Sequence, residues 1–187
     1  MNEATQNERW EPEPLREEEF HEEGEWTNIN RAPYDEVSGV IYKRSANVKR
    51  VQYEPAHPAP EMPEPFRGRG VTLVRWLFSE QSGTEEGLLA GANFEFLHDT
   101  TLAPGASTGM AVHPDLDEIF YVISGVGELH HRPTPGSPVI ARPLRPGDAA
   151  LVRGGEFHRV ANTSDEALRL LVLGLQAATS GRTQRRG

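Results

Sequence analysis

His113 and Glu118 stand with four residues between them in AVHPDLDEIF, and His158 follows later in RGGEFHRVAN. One carboxylate and two imidazoles converging inside a barrel would form a 2-His-1-carboxylate set. Such a set with open positions suits Fe(II), Mn(II) or another divalent ion. Alternation along a strand puts Ala111 on the face of His113 and Phe120 on the face of Glu118, so both are candidate pocket walls. His98 in FLHDTTL and His130 and His131 in GELHH are candidates for an additional ligand or for residues just behind the ligands. Parity alone does not orient them. The rival reading is a pocket that keeps these polar residues without metal. A glutamate buried beside two imidazoles would then need hydrogen-bond partners and protons to offset its desolvation.

Positioning these groups falls to the elements around them. From residue 71 the chain is a series of strand-like runs: VTLVRWLF, NFEFLHDTTL, TGMAVH, EIFYVI, GELHH, PVIARPL, DAALV, HRVAN and LRLLVLGL. Turn signals such as APGAS, HPDLD, SGVG and RPGD separate them. Many short strands with Gly/Pro turns predict an all-β sandwich or barrel. A tight antiparallel return through PDLD would bring Glu118, at the start of one strand, close to His113 at the end of the previous one. EQSGTEEGLLAGA is the only candidate for a turn of helix. Phe94, Phe96, Phe120 and Tyr121 read as core aromatics. GASTG fits the G-x-S-x-G pattern, but a nucleophile elbow needs a strand before and a helix after. Here Ser107 reads as part of a turn.

The spacing of these residues resembles the cupin superfamily, in its single-domain small-cupin form with a cupin-2-like barrel. The first cupin motif is G-x(5)-H-x-H-x(3,4)-E-x(6)-G. This chain has His113, four residues, Glu118, six residues, Gly125. The second is G-x(5)-P-x-G-x(2)-H-x(3)-N. This chain has Gly147, five residues, Arg153, Gly154, Gly155, two residues, His158, three residues, Asn162. The resemblance covers roughly residues 71–176. It implies a cupin double-stranded β-helix, a jelly-roll-like barrel, with His113, Glu118 and His158 as three metal ligands. The ion would be Fe, Mn, Ni or Zn. Two departures matter. Ala111 replaces the first histidine of H-x-H, which removes a usual ligand. Arg153 replaces the motif-two proline, and Gly154-Gly155 can make that turn by their permissive backbone.

Before the barrel, residues 1–36 read as an acidic, flexible arm, residues 37–70 as short strands and a Pro-rich linker, and residues 177–187 as a flexible tail. Residues 1–30 hold ten Glu, no Asp and two Arg, so the arm carries almost all of the net charge of −9. VSGVIY at 37–42 and VKRVQY at 48–53 look like strands that must add to a barrel sheet. They could do so in their own subunit or, exchanged across a two-fold, in a homodimer. With no cysteine, disulfides, zinc–thiolate sites and a Cys nucleophile are excluded. The acidic domain lacks basic clusters and long apolar runs, so neither nucleic acid nor membrane is expected as a partner. The arm is unlike a signal peptide, and a cytoplasmic protein is the default expectation.

The expected function is a metal-dependent enzyme acting on a small organic molecule, with oxygenase, isomerase or lyase/decarboxylase chemistry. The alternative is a non-catalytic cupin that binds a small ligand at a degenerate metal site. A structural or storage role ranks last.

Overall fold

The computed structural model describes residues 14–16, 35–37, 40–42, 48–53, 67–79 and 93–177. The Glu-rich run after Arg16, the proline-rich stretch after Tyr53, EQSGTEEGLLAGA and the chain beyond residue 177 lie outside the described residues.

Alternating apolar residues between Gly/Pro turns produce thirteen strands and, among the described residues, no helix. In chain order these are β1 (Leu15–Arg16), β2 (Asp35–Val37), β3 (Val40–Tyr42), β4 (Val51–Tyr53), β5 (Thr72–Ser79), β6 (Phe94–Leu102) and β7 (Ala111–Val112). There follow β8 (Leu116–Ser124), β9 (Gly127–Arg132), β10 (Ile140–Leu144), β11 (Ala149–Val152), β12 (Phe157–Ala161) and β13 (Leu168–Gln176). A seven-stranded sheet runs β1-β4-β5-β6-β13-β8-β11, and a four-stranded sheet runs β10-β9-β12-β7. Apart from the parallel β1/β4 contact, the pairings in both sheets are antiparallel. The jelly-roll-like fold expected from the sequence is the fold observed.

The core is built from residues of both sheets. Phe96, Phe120, Val122, Leu168 and Leu170 of the larger sheet cluster with Leu129 and Val160 of the smaller one. The period-2 rule is visible within β8: Phe120 and Val122 are buried, whereas Tyr121 is 45% exposed and Ile123 36%. Tyr121 is therefore not a core aromatic; it points outward from the strand whose even positions face in.

The two runs before the barrel behave differently from each other. Val51–Tyr53 lies antiparallel on β5 in its own chain, with Val51 opposite Val74, and forms a second apolar cluster with Trp76. The run 37–42 is not one strand. Asp35–Val37 and Val40–Tyr42 are two strands that pair antiparallel as a separate two-stranded sheet. Inside the stretch read as a solvated arm, Leu15–Arg16 pairs in parallel with β4. The short β4 thus has a neighbour on each side, which leaves fewer of its backbone groups unpaired.

TGMAVH narrows to the two residues of β7, which pair with Phe157 and His158 of β12. Glu118 is the third residue of β8, not its first. The expected hairpin between β7 and β8 does not form, because β7 belongs to the four-stranded sheet and β8 to the seven-stranded one. PDLD carries the chain across the sandwich from one sheet to the other.

Candidate metal centre

That crossing is what brings His113 and Glu118 together. Backbone bonds from Leu116 N (3.4 Å) and Gly155 N (3.0 Å) to His113 O hold the turn. A second turn, at 153–156, presses against it. Asp117 Oδ1 accepts from Gly154 N at 2.8 Å, and Arg153 reaches Asp117 Oδ2 at 3.4 Å. A Cβ on Gly154 would sit 2.7 Å from Pro114 O and 3.3 Å from Leu116 O, backbone of this crossing. Only glycine allows so close an approach. Gly155 takes φ +84°, the left-handed conformation that completes the turn where the cupin proline is replaced by Arg153.

His158 comes from β12 of the smaller sheet and Glu118 from β8 of the larger. His158 Nε2 lies 3.0 Å from Glu118 Oε2, and His113 Nε2 lies 3.8 Å from the same oxygen. The donor atoms of the three residues all fall within 4.8 Å of one another. Glu118 and His158 are buried, while the His113 side chain is 44% exposed and faces the solvent end of the site.

The protonation pattern decides what this cluster can hold. His158 Nδ1 approaches Glu156 O at 3.5 Å. A carbonyl only accepts, so this contact suits the tautomer with the proton on Nδ1, which leaves the Nε2 lone pair free to act as a donor at the site. Glu118 Oε2 is buried without a hydrogen-bond partner among the described residues. A lone pair and a carboxylate oxygen 3.0 Å apart repel unless a proton or a metal ion offsets their charge. The donor set therefore fits a divalent ion, as a 2-His-1-carboxylate group with open positions.

The other histidines have different surroundings. His130 Nε2 is 3.0 Å from Glu128, and its Nδ1 lies near Arg159. His131 is the cross-strand neighbour of His158, yet its Nε2 is taken up by Glu156 at 3.0 Å. His98 lines the same cavity as the three donors but stands outside their cluster. In the row Trp76–His98–Val172–Phe120 it is two strands from Phe120, a spacing of roughly 10 Å. It packs against Trp76 and Phe96, with ring centroids 4.2 and 4.1 Å away, and its Nε2 is sealed without a partner. Burial pushes this imidazole down to about 3, so it is neutral near pH 7.

The cavity beside the three donors has a volume of about 620 Å³. Ala111 and Phe120 line it, as their parity implied. Sequence reasoning missed Thr72, Val74, Trp76, Thr100 and Val172 as wall residues. The alternation of TLVRW carried the signal once its pairing with β6 was known. Ser107 also lines the cavity, and its Oγ is buried and unpartnered. Its backbone bridges Arg69 and Ala161 with no helix following, so GASTG is not a nucleophile elbow.

Two sheets closed around a His/Glu/His cluster are the arrangement expected of a cupin fold. Residues 98–174 match the sequence model of the cupin domain. An oxalate-binding protein from Thermotoga maritima is 33% identical over 72 residues, covering 38% of this chain and 54% of the relative. The chain thus spans about half the length of that curated relative. A crystal structure described as a predicted oxalate decarboxylase from Thermotoga maritima superposes with a TM-score of 0.52 at 22% identity. It covers 71% of this chain and 96% of that one, a likeness of fold.

Proposed function

We propose that this chain is a metal-dependent cupin enzyme acting on a small organic molecule, with His113, Glu118 and His158 as the metal ligands. The observation that carries the reading is the convergence of His113, Glu118 and His158, whose donor atoms lie within 4.8 Å of one another around a buried Glu118 Oε2 that meets no hydrogen bond among the described residues. A divalent ion there supplies Lewis acidity toward a carboxylate or carbonyl oxygen of the substrate. The chain's residues do the remaining work. Glu156 O holds the His158 tautomer, Glu118 brings the charge that neutralises part of the ion, and the small side chain of Ala111 leaves room for substrate oxygens on the cavity side. Burial of Glu118 and His158 keeps bulk water from two of the three donors.

Oxygenase, isomerase and lyase chemistries are all compatible with this arrangement. The relative named for oxalate binding favours a second reading, a cupin that binds a small ligand without turning it over.

Elemental analysis of protein purified without chelators tests the metal reading. A divalent ion at a substantial fraction of one per chain is expected, or full uptake on reconstitution with iron, manganese, nickel or zinc. His158→Ala should weaken the ion's affinity by more than about 100-fold, the upper end for loss of a mere supporting contact. A wild-type chain that stays metal-free on reconstitution, or a variant with unchanged affinity, overturns it. Turnover of candidate substrates by the loaded protein then separates enzyme from binder.

A further inference from the structure

Oxalate is the ligand named for the relatives of this fold, but the cavity has a different chemistry. At about 620 Å³ it lies within the range of pockets that bury ligands of drug size, and a two-carbon diacid would fill a small fraction of it. None of the described residues lining it is a lysine or arginine. A two-carbon diacid chelating the ion through both carboxylates would leave most of the apolar wall, with Val74, Leu170 and Val172, uncovered.

The walls favour a ring. Trp76, His98 and Phe96 form one continuous aromatic surface on the larger sheet, with centroid spacings of 4.2 and 4.1 Å. Phe120 adds an edge beside His158 at 5.5 Å. An aromatic ring against such a wall gains edge and face contacts beyond its buried area. The neutral, stacked His98 behaves here as part of that wall. Thr72, Thr100 and Ser107 supply hydroxyls at the cavity surface, which suit a neutral polar substituent and not a charge.

We infer that the cavity takes an aromatic monoacid with a second oxygen donor next to its carboxylate, the two oxygens at the His113/Glu118/His158 centre and the ring against Trp76, Phe96 and Phe120. This rests on the metal reading above for the chelating head, and on the cavity alone for the ring.

Calorimetric titration of the full-length chain tests the two halves separately, with manganese-loaded and metal-stripped protein. The probes are salicylate, oxalate and 2-naphthoate. Loaded protein should bind salicylate at least about tenfold more tightly than oxalate, a difference of about 1.4 kcal/mol. Stripped protein should still bind 2-naphthoate weakly, with tryptophan fluorescence reporting the ring beside Trp76, and should not bind oxalate. Val74→Phe fills the cavity and should weaken 2-naphthoate by about tenfold or more. Leu170→Phe serves the same purpose if the first variant does not melt cooperatively. Oxalate binding to loaded protein as tightly as salicylate overturns the inference and leaves the metal reading standing. So does 2-naphthoate affinity that is unchanged in a folded cavity-filled variant. A chain that takes up no manganese yet binds 2-naphthoate in a Val74-dependent way sinks the metal reading while supporting the ring site.

Discussion

Ala111 lies directly opposite His158 across the β7/β12 pair, so a side chain at 111 emerges on the same face, about 5 Å away. Ala111→His should therefore supply the imidazole that the first cupin motif usually carries. Metal affinity should rise by about tenfold or more in a competition titration. The added ring fills space now open to ligand, so small-ligand affinity should fall in the same variant. Unchanged metal affinity would show that the backbone at 111 does not aim at the site. His98 is argued on different grounds. Its folded value of about 3 lies below the ordinary 6.5, so between those values the unfolded chain holds a proton that the folded chain does not. Its contribution to stability is complete above about pH 6.5 and is lost as pH falls toward 3. The loss is at most about 1.4 kcal/mol per pH unit, and less insofar as the ring edge meets the cavity. Urea unfolding at pH 7 and pH 5 should show a smaller acid loss for His98→Phe than for wild type. Equal losses would mean that His98 is not the buried neutral group described.

The turn at Arg153–Glu156 is the element that fixes His113, through Gly155 N on His113 O and Gly154 against Pro114. Gly154→Ala should cost about 1–3 kcal/mol in unfolding free energy by overpacking that contact, and should weaken metal binding through displacement of His113. A stable variant with full metal affinity would show that the crossing is positioned elsewhere. Such a contact was not legible in the sequence, where Gly154 read only as a turn-former replacing a missing proline. The barrel strands were legible because their period-2 patterning is local, and β8, β9, β11, β12 and β13 fall where the apolar runs placed them. Which sheet each strand joins is set by long-range pairing, and no local pattern carries it. That is why the passage from His113 to Glu118 read as a hairpin and is a crossing between sheets. For the same reason the three donors were visible at their motif spacings, while Trp76, Thr72 and Thr100 entered the cavity list only through the β5/β6 register.

At the scale of the whole chain, β1 and β4, which precede the barrel in sequence, are part of the seven-stranded sheet. Val48 and Val51 are fully buried, and Val51 packs with Val74 and Trp76. Deleting residues 2–55 removes β4 and opens the edge of β5, so this truncation should melt well below full length or aggregate. Among the described residues, deleting residues 2–25 removes only the β1 contact, and it should leave the melting temperature within a few degrees, as expected for losses near about 0.5 kcal/mol. A long truncation as stable as the full chain would show that β4 is dispensable. Light scattering on the same samples checks the homodimer expected from the sequence. The site itself depends on the same closure of the sandwich. Glu118 belongs to the seven-stranded sheet and His158 to the four-stranded one, so an ion between them is a rivet through both layers. Parting the layers opens the 3.0 Å gap before it disturbs either sheet's own ladder. Breathing of the sandwich would then loosen an ion bound there. Under the metal reading, the rate at which the ion exchanges with solution should rise with any change that weakens the packing between the two layers.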